Sequence, residues 1–228
     1  MPLKKPFILA AFLFSSFLSQ ATAFDERYGI GTVHIIPYNF FSLDFYSHTD
    51  DTAPFDQVSF SKDKQSDDLH FQFATSGADT APSWFVPEYF NTSAEKIRIE
   101  MCCLEKQDDW CKVLLNSGTG LTKWIHLGAD VVYYDWNDFF ISTASVEIIS
   151  GDPKLFAKPS HSSNSQPLLT KSEAGETQLI QVQQVDGVWM QVKVIRFNNN
   201  MEQVSNTEGW ILWRDDAGLF IGYNLYLD

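Results

Sequence analysis

An internal repeat restricts the fold of this chain more than any other feature. Glu100 to Val113 lies over Leu179 to Val192 without a gap, at a constant spacing of 79 residues. Met101 then matches Ile180, Cys103 matches Val182, Trp110 matches Trp189, Cys111 matches Met190 and Val113 matches Val192. Polar partners agree too, with Lys112 over Gln191. Each copy reads as an apolar strand, a short polar turn and a second strand that opens on tryptophan. Downstream, Lys123 to Leu127 answers Gly209 to Trp213, and upstream Leu43 to Tyr46 answers Pro153 to Phe156. Three blocks in one order, occurring twice, require a chain that builds the same unit two times over.

The units read as β. Short runs rich in Val, Ile, Phe, Tyr and Trp are broken every few residues by Gly, Asn, Asp, Pro and Ser, and helical spacing is not sustained. Ile97, Ile99 and Met101 alternate with polar residues, as do Met190, Val192 and Val194, so each strand buries one face and wets the other. This predicts an all-β fold of sandwich or small-barrel type rather than a parallel sheet with crossover helices. Asn137 and Asp138 interrupt the pattern, Phe139 to Ile149 is expected to resume as strand, and Gly151 to Pro153 is a turn or linker signal. The boundary between units is therefore placed near Ser150, giving segments 24–150 and 151–228. The first copy carries an acidic insertion from about Thr49 to Ser93, and the second a polar stretch from Ser160 to Gln166. Both are expected as surface loops or lids, because such composition offers little apolar area to bury.

Residues 1–23 have the pattern of a signal peptide. Lys4 and Lys5 precede an apolar run from Phe7 to Leu18, and Ala21, Thr22 and Ala23 supply the small residues a signal peptidase needs, with cleavage expected after Ala23. The run is too short for an anchor, and no later run approaches the length of a transmembrane helix. The mature chain is expected in the periplasm or outside the cell, without a membrane anchor. The whole chain carries 16 basic against 29 acidic residues, a formal charge of −13; loss of the two leader lysines leaves 14 against 29, or −15. Such a field repels nucleic acid and acidic polymers and leaves a cationic peptide or protein compatible as partner.

The alternating strand, the turn with Asp or Gly, the Trp followed three residues later by Val, and the Gly-Trp-Ile block together resemble the bacterial SH3-like domain. The second copy matches through Val182, Asp186 to Val192 and Glu208 to Ile211; the first keeps Asp109 to Val113 but has Lys123 where the family usually places Gly. The matches cover roughly Leu43 to Leu127 and Lys154 to Trp213. The resemblance implies two tandem SH3-like small barrels, the first with a long insertion. It also implies a non-catalytic targeting role, commonly toward peptidoglycan or peptides.

Parity on the second strand of each hairpin sets Cys111, Val113, Met190, Val192 and Val194 on an apolar face, and Trp110, Lys112, Trp189, Gln191 and Lys193 on the other. An indole on a wetted face beside a cation is a platform for a sugar ring or a peptide side chain; the alternative is that each Trp closes its barrel under a loop. Trp110, Lys112, Trp189 and Lys193 are the candidate ligand-binding residues, with Trp124 and Trp210 beside them, where a structural role is favoured. The repeat aligns Cys103 and Cys111 with core positions, which predicts a disulfide between them in an oxidising compartment; a β-bulge would bring Cys102 in as the partner instead. Otherwise Cys102 is expected as a solvent-facing thiol. The five histidines are scattered without metal-ligand spacing, no serine sits in a nucleophile elbow, and the acidic pairs fall at probable turns. No enzyme activity, metal or cofactor is therefore expected. The reading that follows is an exported binding protein for cell-wall peptide or a protein partner, with an acidic inhibitor or immunity-type protein acting on a basic secreted enzyme as the alternative.

Overall fold

The computed structural model describes residues 28–37, 41–63, 68–93, 96–143, 145–151, 153–168, 177–215 and 218–223, so the expected leader lies outside the described residues. The fold is all-β. The first lobe comprises β1 (Gly31–Ile35), β2 (Phe41–Phe45), β3 (Asp56–Lys62), β4 (Leu69–Phe73), β5 (Tyr89–Ser93), β6 (Lys96–Gln107), β7 (Trp110–Asn116), β8 (Leu121–His126) and β9 (Val131–Asp135). A short helix, α1 (Trp136–Ser142), leads to the second lobe: β10 (Val146–Ile148), β11 (Lys154–Phe156), β12 (Ser165–Pro167), β13 (Thr177–Asp186), β14 (Trp189–Phe197), β15 (Gln203–Leu212), β16 (Arg214–Asp215), β17 (Gly218–Leu219) and β18 (Ile221–Tyr223). None of the described helices is long and apolar enough to cross a membrane.

The repeat is a repeat of topology. The first sheet runs β8-β7-β6-β1-β9 and the second contains β15-β14-β13-β10-β18 in the corresponding order. Registers correspond as well. Cys103 faces Val113 as Val182 faces Val192, and Lys112 faces Trp124 as Gln191 faces Trp210. Both first hairpins carry a β-bulge at the same place, between Cys103 and Glu105 in one and between Val182 and Gln184 in the other. Their turns take a positive φ at equivalent residues, Asp108 at 49° and Gly187 at 59°. An extra residue shared in this way bends both ladders at the same point.

Each lobe has its own core and alternate residues face it, but the expected wetted face is missing from β1 and from β6 between Arg98 and Cys103, where both faces are buried. Val33, Ile35, Ile99, Met101, Cys103, Cys111 and Val113 are buried in the first; Met190, Val192, Val194 and Ile211 are buried in the second.

Two expectations are corrected. The insertion is not a loop or lid: its β3 and β4 pair with β2, which precedes it, as a three-stranded sheet that sends Val58, Phe60, Phe71 and Phe73 into the first core, joined by Phe85. Fully burying such side chains contributes about 1.5–3 kcal/mol each, enough to order a segment whose connecting turns are acidic. Residues 136–142, part of them expected as strand, are helical. Asp135 caps the helix by accepting from the Asp138 backbone N–H at 2.7 Å, and Trp136, Phe139 and Phe140 bury one face at helical spacing. β10 pairs into the second sheet and α1 packs in the second core.

Candidate functional site

The outward tryptophans stand at equivalent positions and make equivalent contacts. Trp110 opens β7 opposite His126 of β8. Its indole meets the His126 ring edge-on at 5.0 Å and the Tyr46 ring edge-on at 5.3 Å. Tyr46 is fixed there by a reciprocal pair of backbone hydrogen bonds with Trp124, each 2.8 Å. Its hydroxyl donates to Asp44 at 3.2 Å, and burial followed by the Asp44 carboxylate raises its ionisation above the ordinary phenol value.

In the second lobe Trp189 opens β14 opposite Leu212, and its indole meets Phe156 edge-on at 5.1 Å. Phe156 faces Trp210 in the ladder, as Tyr46 faces Trp124. A histidine again completes the cluster, but it comes from elsewhere: His161, on the loop between β11 and β12, meets Trp189 at 5.0 Å. Each edge-on aromatic pair adds roughly 0.5–1.5 kcal/mol to what burial supplies. Trp189 and Trp124 are buried, whereas Trp110 and Trp210 are half-buried.

The candidate cations divide. Lys112 is half-buried between Trp110 and Leu114 on its strand and lies 4.0 Å from Glu105, a separation at which a surface pair contributes little. Lys193 lies beyond Gln191 along β14 and faces Glu208, so it does not join the Trp189 cluster. Lys123, where the second copy has glycine, donates to the Ser47 hydroxyl at 3.0 Å and caps the Phe55 ring at 4.0 Å. Its counterpart Gly209 packs tightly, since a Cβ there would lie 2.6 Å from Leu155 Cγ.

Tyr46, Phe156, His126 and His161 were missed as site residues. The first two stand inside the upstream repeat block, which pointed to them. The histidines have no metal-ligand spacing to mark them in the sequence, and among the described residues no group of three or more His, Cys, Asp or Glu side chains is arranged to hold a metal ion.

The expected cystine is not formed. Cys103 and Cys111 carry thiols, both fully buried, and the single S–H of Cys103 is shared between Cys111 and the Glu105 carbonyl 3.3 Å away. The bulge sets Cys103 opposite Val113 and Cys111 opposite Lys106, so the two sulfurs meet diagonally. Their hydrogen bond, and then burial, hold the Cys103 thiol high; the same bond, with Lys106 nearby, lowers Cys111 despite burial. Cys102 is not solvent-facing. It points to the opposite side of the sheet, 4 % exposed, against a backbone that only glycine at position 29 can bring so close.

That opposite side holds a buried polar group. His34 on β1 faces Glu100 on β6 and packs edge-on against Tyr134 and Phe139. Arg98 lies on the same face, with its Nε 2.5 Å from Glu100. No protein-family model, curated protein or solved structure matches the chain.

Proposed function

We propose that this chain is an exported, non-catalytic binding protein of the periplasm or extracellular space. In this reading it is built from two tandem bacterial SH3-like domains and recognises cell-wall peptide or a protein partner through the faces that carry Trp110 and Trp189. One observation carries it: each lobe sets a tryptophan edge-on against an aromatic ring at the same point of its topology, Tyr46 in one and Phe156 in the other, on the face turned away from the core. Packing of the interior does not require that outward pairing. Trp110 and Phe156 are half-buried, and their exposed ring area suits a sugar ring or a peptide side chain because it is rigid and amphipathic at low entropic cost; Trp189, buried, holds Phe156 edge-on. The acidic field limits partners to neutral or cationic surfaces at long range.

Sedimentation with purified cell-wall sacculi tests the reading. Retention of the mature chain in the pellet at moderate salt is expected. Absence from the pellet at both low and moderate salt removes the cell-wall version, and a pull-down from the periplasmic fraction then decides on a protein partner.

A further inference from the structure

The two aromatic clusters differ in what lies beside them. In the second lobe the cluster borders a cavity of about 200 Å³ with apolar walls from Pro153, Phe156, Leu212 and Phe220, and with Lys154 and His161 among its lining. A dry cavity of about 150 Å³ accommodates a benzene ring, so this one has room for a single aryl or branched alkyl group.

Charge at the mouth distinguishes the copies. Lys154 occupies the repeat position that Asp44 holds in the first lobe, where the carboxylate is engaged by Gln57 at 2.6 Å and by Tyr46. One position is thus acidic in one copy and basic in the other. Glu208 lines a second, more open groove with Phe156, Asn164 and Gln166 and is not among the residues lining the cavity. In a chain with 29 acidic residues and 16 basic ones, the described lining of this cavity has a lysine and a histidine as its ionisable side chains. Long-range attraction does not draw an anion here, so recognition has to come from short-range contact: an apolar group enclosed by rings, with an anionic group set against the ammonium.

We propose that this cavity binds a carboxylate carrying one aryl or branched alkyl group, the chemistry of an apolar residue at the C-terminus of a peptide. The inference rests on the reading of the Trp189 face as a binding face and adds the class of ligand. Leu212 and Phe156 enclose the apolar group, Lys154 and His161 meet the carboxylate, and Trp189 backs Phe156 and His161 from below. The first lobe, with Asp44 at the equivalent position, does not share this preference.

The test is an amide NMR titration of the folded mature chain with phenylpropionate, repeated with its uncharged analogue phenylpropanol. Saturable shifts are expected at Lys154, Phe156, His161, Leu212 and Phe220, with a Kd on the order of 1 mM for so small a ligand. The alcohol and the Lys154→Glu variant should both bind roughly tenfold more weakly or worse, as loss of a charge-assisted contact implies. Lys154 is exposed, so the variant should keep the dispersed spectrum of the folded chain, and Lys154→Gln provides a milder replacement. Absence of saturable shifts well above that concentration overturns the site, and equal affinity for acid and alcohol, or for wild type and Lys154→Glu, overturns the anion assignment. Failure of sacculus sedimentation together with carboxylate binding strikes the cell-wall reading alone; sedimentation without carboxylate binding strikes the cavity alone.

Discussion

Replacing His34 with phenylalanine should expose a pH dependence of stability that the native chain conceals. His34 is 4 % exposed, and neither ring nitrogen has a hydrogen-bond partner among the described residues. Burial, and then the charge of Arg98, push its pKa from 6.5 down to about 4. Glu100, opposite it in the ladder and 2 % exposed, is pushed by burial from 4.5 up to about 7, with Arg98 opposing and Glu88 adding to the rise. The signs are opposite. Between about pH 4 and 6.5 the unfolded chain binds a proton at His34 that the folded chain refuses, so this group makes stability rise with pH. Between 4.5 and about 7 the folded chain keeps a proton on Glu100 that the unfolded chain has lost, so this one makes stability fall. Each slope reaches about 1.4 kcal/mol per pH unit, and across their overlap the two cancel. Phenylalanine keeps the edge-on contacts to Tyr134 and Phe139 and removes one slope. Measured by urea unfolding followed through tryptophan fluorescence, His34→Phe should lose roughly 3 kcal/mol relative to wild type between pH 4.5 and 6.5, whereas Glu100→Gln should gain a similar amount. Profiles for both variants that run parallel to wild type across this range would refute the opposed-titration argument.

Three further outcomes follow from the packing. Gly209→Ala should destabilise the second lobe by about 1–3 kcal/mol in urea melts, because the new methyl would press on Leu155 and on the Phe156 carbonyl oxygen at 2.9 Å. Phe73→Ala should cost about 3–5 kcal/mol, as a core position does; a change within experimental error would return the insertion to the status of a loop. With no reductant present, iodoacetamide should modify all three cysteines only after denaturation, read by intact mass, and protection that persists in denaturant would reveal a disulfide.

Much of the architecture is legible in the residues, and the misses have definable causes. Register was accessible because the two copies keep constant spacing from Glu100 to Val113 and from Leu179 to Val192, so inward and outward positions could be assigned from either. The bulge was not. A one-residue irregularity leaves no trace in a gap-free alignment when both copies share it, and it is what sets Cys103 opposite Val113, on the same face as Cys111 and diagonal to it. The insertion was read through its charge, although Val58 with Phe60 and Phe71 with Phe73 alternate at strand period and face the core. The helix spans seven residues, too short for sustained periodicity, yet Trp136, Phe139 and Phe140 carry its spacing. His161 could not be found by any local pattern. Its meeting with Trp189 depends on how the loop from Ala157 to Asn164 folds back, and that is a tertiary event.

The central claim is that one strand scheme is built twice at a fixed offset, with Trp110 and Trp189 in matching places. Cross-strand nuclear Overhauser contacts in the mature chain test it most directly. Contacts between Cys103 and Val113 and between Lys112 and Trp124 should be mirrored by contacts between Val182 and Val192 and between Gln191 and Trp210, with the interruption at Leu104 reproduced at Gln183. A ladder in which Gln191 faces a residue other than Trp210, while Lys112 still faces Trp124, would contradict it.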